Sequence, residues 1–208
     1  NWCDALILHL NVKYCRPLAR DGRTVLSTAI GRNFDQPLSS TYRVNFVYSI
    51  TASRPDYVDV DLHALHGPLG TGNYRISLEA VGLTNERAFV HLRYSYTYGF
   101  AGRSAMNMYL ATSGSDKVGF TVIGDRNDPQ PKFIGGVRGA IERNTMRYYL
   151  AIDAYLGALA TPAPARFEQS LGRWFNATEL YPRQLREIDR DTYFAMKRSE
   201  YLRQQTAQ

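Results

Sequence analysis

Cysteine is scarce, two of 208 residues, so this chain builds neither a dense disulfide scaffold nor a thiolate metal cluster. No apolar stretch approaches the roughly 18 residues that a membrane-crossing helix needs, and no secretory signal pattern opens the chain. No run of five or more like charges interrupts the mixture of 25 Lys and Arg with 19 Asp and Glu. The net charge of +6 is therefore dispersed as a solvated basic surface, without the basic tract of a nucleic-acid-binding arm. Repeats and low-complexity tracts are also missing. Asn1-Trp2-Cys3 begins without methionine, which leads us to expect a processed or trimmed chain, with room for a lost targeting segment.

What is present is aromatic. Fifteen Tyr, nine Phe and two Trp accompany a hydrophobic fraction of 44%, enough for a sizeable core without staples. Tyrosine joins an apolar body to a polar tip, which suits a core, a pocket wall or an interface. The two cysteines, Cys3 and Cys15, allow two outcomes. A straight helix through both would hold them about 18 Å apart, too far to bridge. A chain that folds back near Asn11 permits a disulfide and, with it, export; otherwise both are buried thiols.

Hydrophobic spacing predicts a short helix over residues 1–11, with Trp2, Leu6 and Leu10 on one side, and a polar turn over 16–23 holding Pro17 and Asp21-Gly22. Alternation with period two then predicts strands over 24–30, 41–51, 57–63, 74–81 and 88–98. Turns separate them at Arg54-Pro55-Asp56, at 67–72 and at Thr84-Asn85-Glu86. A short helix is expected over 103–112, a strand over 117–123 and a long helix over 136–159. Val137, Ile141, Tyr148, Ile152 and Leu159 form its predicted stripe, and Ala140, Ala151, Ala154 and Ala158 supply helix propensity. Thr161-Pro162-Ala163-Pro164 reads as a stiff linker. Two amphipathic helical patches follow, Phe167, Leu171, Trp174 and Phe175 in one, Leu185, Ile188, Tyr193, Phe194 and Tyr201 in the other. The expected fold class is α+β: a curved antiparallel sheet gripping one long C-terminal helix in a domain over 1–160, with a helical extension over 165–208.

This element order, with Trp2-Cys3-Asp4, Gly135-Gly136-Val137-Arg138-Gly139 and Glu142-Arg143-Asn144-Thr145-Met146-Arg147-Tyr148-Tyr149, resembles the START-like (SRPBCC) helix-grip superfamily, in an uncharacterised bacterial subgroup. The resemblance covers residues 1–159; that superfamily's usual first strand and helix precede the point where this chain starts. It implies a bacterial protein; the cysteines, if bridged, lead us to expect it exported or periplasmic, and otherwise cytoplasmic. It also implies a cavity between sheet and long helix that takes an apolar or amphipathic ligand.

Candidate site residues follow the apolar strand faces. Tyr94, Tyr96 and Tyr98 alternate on the side of Val90 and Leu92, and Tyr42, Tyr48 and Tyr74 occupy equivalent faces. These six phenols are either the wall of a ligand cavity or a tyrosine-rich core with hydroxyls at its rim. Asn144 and Tyr148 share the sheet-facing side of the long helix, as a structural network or as ligand contacts. Arg143 and Arg147 are expected on a solvated face or in salt bridges. His63-x-x-His66 has no third ligand nearby, so no metal is expected; Asp59 with Asp61, and His91 with Arg93, look solvated. Ser113-Gly114-Ser115 lacks the surroundings of a nucleophile elbow. The leading expectation is a non-enzymatic binding protein for a lipid-like or aromatic molecule, without a cofactor. A cyclase- or hydrolase-like enzyme using the same cavity is the second. The third is an assembly protein that docks or self-associates through 165–208, where Trp174, Phe175, Tyr193 and Phe194 need covering.

Overall fold

The structure, a computed structural model, describes residues 2–84, 87–112, 114–125 and 129–206. Of the expected turn at 84–86, Asn85 and Glu86 lie outside the described residues, as does Ser113 of the Ser-Gly-Ser motif. The protein is α+β, with a curved open sheet of six antiparallel strands in the order β1-β2-β3-β4-β5-β6. The strands are β1 Val12–Arg20, β2 Arg23–Ile30, β3 Tyr42–Arg54, β4 Tyr57–His66, β5 Thr71–Gly82 and β6 Ala88–Tyr98. The helices are α1 Trp2–Leu6, α2 Phe100–Ala111, α3 Gly136–Leu156, α4 Ala163–Glu179, α5 Pro182–Leu185 and α6 Arg190–Thr206. The chain forms two compact units, Asn1–Leu10 with Arg103–Ser199, and Asn11–Gly102 with Glu200–Gln208. Residues 165–199 thus belong to the helical unit and 200–206 to the strand unit.

In the strand unit neighbours in sequence are neighbours in the sheet. One face is the predicted apolar one: Leu26, Val44, Phe46, Val60, Leu62, Ala64, Ile76 and Leu78 are all buried. The first strand differs from expectation. Residues 12–20 form β1, which pairs with β2 from Val12↔Ile30 to Arg20↔Arg23. Pro17 is tolerated because β1 is an edge strand, where its missing N–H has no ladder partner to disappoint. Asp21 and Gly22 have φ of 51° and 72°, the left-handed pair that closes a two-residue hairpin. On the free edge of β1 the Cys15 N–H donates to Gln204 Oε1 at 3.0 Å. Arg203 reaches the Gln36 carbonyl at 3.2 Å and Asp35 at 3.3 Å, so the chain end covers an edge that would otherwise be open to pairing. Lys13 and Glu200 close an ion pair of 2.8 Å with both side chains fully buried. Cys3 and Cys15 are both disulfide-bonded, and no cysteine is free.

The helical unit has its own core, made of Leu8, Leu10, Leu150, Ala151, Ala154, Leu171, Trp174, Phe175, Leu185, Tyr193 and Met196. Trp174 stacks on Tyr193 with centroids 4.7 Å apart, and the Tyr193 hydroxyl donates to the Leu8 carbonyl at 2.8 Å. Trp174, Phe175 and Tyr193 of the C-terminal patches thus fill this interior, with Phe167 and Phe194 packed against it. Along α3 two lines are buried. Tyr148 and Ile152 belong to the predicted stripe, while Gly139, Arg143, Arg147 and Ala154 form a second; Leu159 is exposed.

The expected strand over 117–123 is corrected: it makes one isolated bridge, Val122↔Phe133. Gly119 and Ile123 donate to the Ile134 and Lys132 carbonyls, but two N–H groups between them are taken by α3. The Phe120 and Thr121 N–H groups donate to Glu142 Oε2 at 2.7 and 2.9 Å. A Cβ at Gly119 would lie 2.9 Å from the Gly139 Cα, so glycine permits the close approach.

Candidate functional site

The strand unit gathers a group of phenols at the β5–β6 end of its apolar face. Tyr74 on β5 stacks on Tyr96 of β6, centroids 5.2 Å apart and planes 12° from parallel. Tyr94 lies 5.7 Å and Tyr98 6.1 Å from Tyr96, and Phe46 meets Tyr74 edge-on at 6.2 Å. Three local features produce this arrangement. First, Gly72↔Thr97 and Arg75↔Ser95 are paired with a register shift between them. Asn73 and Tyr74 therefore oppose the single residue Tyr96, a β-bulge that swings Tyr74 over it; Asn73 has φ of 50°. Second, Gly67 leaves room for the ring, since a Cβ there would lie 2.3 Å from Tyr74 Cε2. Third, Tyr74 pairs across the ladder with Ala64, a residue small enough for Phe46 to reach the ring from β3.

The group is half-buried rather than sealed. Tyr74, Tyr94 and Tyr96 have intermediate exposure, and Tyr98 is 36% exposed. The hydroxyls of Tyr74 and Thr71 are 2.7 Å apart. The Tyr96 hydroxyl has no hydrogen-bond partner among the described residues. Burial, then the neighbouring phenols of Tyr74 and Tyr98, push the Tyr96 ionisation upward. Burial does the same for Tyr74, against the opposing hydrogen bond from Thr71. Both therefore remain neutral hydroxyls at physiological pH.

The other predicted residues fall elsewhere. Tyr48 is on the same face but pairs with Leu62, which pairs with Ile76, which pairs with Tyr94. Three strand spacings, about 14 Å, thus separate it from Tyr94. Tyr42 pairs with Ile30 near the opposite side of the sheet and is 48% exposed. Asn144 and Tyr148 belong to the helical unit, where both engage His9. Its Nε2 is 3.0 Å from Asn144 Oδ1, and its ring stacks on Tyr148 at 4.2 Å. On the polar strand face Glu79 gathers His91 at 3.2 Å and Arg93 at 3.4 Å. No group of three or more His, Cys, Asp or Glu suited to a metal occurs among the described residues, and no described helix is long and apolar enough to cross a membrane.

The groups with the most unusual surroundings escaped the sequence. Arg143 and Arg147, expected at a solvated face or in salt bridges, are 1% and 5% exposed. Arg147 does form an ion pair, with Glu187 at 2.5 Å. The available signal was the spacing Gly139, Arg143, Arg147, Ala151: two small residues mark a close-packed helix face, and the arginines lie on that same line.

Against known proteins the chain stands apart: no family model, no curated protein and no solved structure matches it.

Proposed function

We propose that the protein binds a hydrophobic or amphipathic small molecule, lipid-like or aromatic, and that the sheet face around Tyr74 and Tyr96 is a wall of its site. The observation that carries this is the stacked, half-buried Tyr74–Tyr96 pair with the Tyr96 hydroxyl unengaged. Half-buried rings offer π-faces to a flat or apolar group, and the unengaged hydroxyl offers a donor to a polar end. A bulge that aims a side chain is a feature often found beside functional sites. Neutral phenols and the Thr71 hydroxyl suit recognition rather than proton transfer. The helix-grip interpretation of the fold, and the likeness to START-like proteins, belong to the same proposal. Their support is the order of elements, consecutive antiparallel strands followed by the 21-residue α3.

The test is fluorescence titration with the neutral apolar probe N-phenyl-naphthylamine. Saturable binding is expected, weakened about tenfold, or 1.4 kcal/mol, by Tyr96→Ala and less by Tyr96→Phe, which keeps the ring. Tyr42→Ala should leave it unchanged. Equal affinity in the wild type and Tyr96→Ala would place the site away from this pair.

A further inference from the structure

We propose that the helical unit carries a binding site for a small dianionic oxyanion of the phosphate type, built from Arg143, Arg147 and Lys117. The two arginines are one turn apart on α3 and point along the same side of the helix. Both are buried. Arg143 donates to the Tyr109 hydroxyl at 3.0 Å and to the Val118 carbonyl at 3.4 Å. Arg147 donates to the Leu185 carbonyl at 3.3 Å and to Glu187. The Nε–H of each is buried with no acceptor. Lys117 donates to the Arg186 carbonyl.

These groups share one electrostatic neighbourhood. Burial disfavours the charge on Lys117; Glu187 favours it, while Arg147 and Arg143 oppose it. Burial likewise disfavours the charge on Arg147, which Glu187 supports and Arg143 opposes. Among the described residues, Glu187 is the carboxylate that favours the charge on both Lys117 and Arg147, while the cations oppose one another, so positive charge is in excess here. Glu142, next to Arg143 in the chain, does not offset it. Its carboxylate is already engaged by Thr121, Phe120 and Arg138.

A buried guanidinium without a counter-charge is strongly disfavoured, and native interiors leave few donors unpaired. A bridging water would satisfy each Nε–H but leave the excess charge. A dianion answers both needs, and a tetrahedral oxyanion has enough oxygens to take N–H groups from two planar guanidiniums together. Burial of both Nε atoms selects a small ion over a headgroup held at a membrane surface.

Thermal unfolding of the full chain, in inorganic phosphate against sodium chloride of matched ionic strength, tests the site. The midpoint should rise with the logarithm of phosphate concentration, as for any ligand that binds only the folded state. Arg143→Met should abolish the rise, and Arg138→Met, an exposed position on the same helix, should retain it. If Arg143→Met does not fold, Arg143→Lys serves in its place. It keeps the charge but removes the planar fork, and phosphate affinity should fall about tenfold or more. No phosphate-specific rise in the wild type, or an undiminished rise in the Arg143 variant that folds, would overturn the proposal.

Discussion

Glu200→Gln is expected to lower stability by about 3–5 kcal/mol, because it leaves the Lys13 ammonium buried beside a neutral amide. The pair is 2.8 Å long and both side chains are fully buried. Burial already presses the Lys13 ionisation downward, and the Glu200 carboxylate is the leading influence opposing it. The surroundings leave little room for relaxation. A Cβ at Gly31 would come within 2.9 Å of both Lys13 Cγ and the Gln36 side chain, so Lys13 is held where it lies. Urea unfolding followed by circular dichroism measures the loss. The paired replacement Lys13→Met with Glu200→Leu should recover most of it, since a buried ion pair is often matched by apolar residues of similar size. A loss below about 1 kcal/mol in the single variant would mean that the pair behaves like a surface salt bridge.

Trp174→Ala is expected to cost a similar amount, about 3–5 kcal/mol, by opening a cavity in the helical core. Trp174 is buried, stacks on the fully buried Tyr193 and donates its indole N–H to the Arg147 carbonyl at 3.2 Å. Its loss removes packing on α3, α4 and α6 together, since Tyr193 and Met196 of α6 share the core with Leu150 of α3 and Leu171 of α4. Near-UV circular dichroism should weaken as Tyr193 loses its stacking partner, and the denaturation midpoint should fall. A midpoint within error of the wild type would show that this aromatic cluster does not hold the unit together.

The strand pattern was legible because period two survives wherever one face is buried. Val90, Leu92, Tyr94, Tyr96 and Tyr98 alternate without a break, and β6 runs over Ala88–Tyr98 as the alternation predicts. The first strand was illegible because Arg16-Pro17 carries turn chemistry, and only its edge position, a tertiary fact, reconciles proline with a ladder. The segment over 117–123 has strand-like composition, yet its Phe120 and Thr121 N–H groups are claimed by Glu142 of α3; a local pattern carries no sign of a competing acceptor on another element. The same division holds for the candidate site. Alternation put the β5 and β6 tyrosines on one face, but the bulge between Gly72 and Arg75 and the gap left by Gly67 decide which rings meet. Tyr42 and Tyr48 satisfy the same alternation and lie far along the sheet, because period two reports the face and not the strand neighbour. Charged residues were the least legible. Lys13, Arg143 and Glu200 are buried against the ordinary preference of their side chains for water, and only their partners account for it.

Native mass spectrometry of the purified protein, with extraction of whatever it carries, tests the central proposal most directly. A small apolar or amphipathic molecule should come away with the wild type in a one-to-one ratio and be lost from a Tyr74→Ala, Tyr96→Ala variant that remains folded. A wild type that carries no such molecule, or a variant that carries it undiminished, would contradict the proposal.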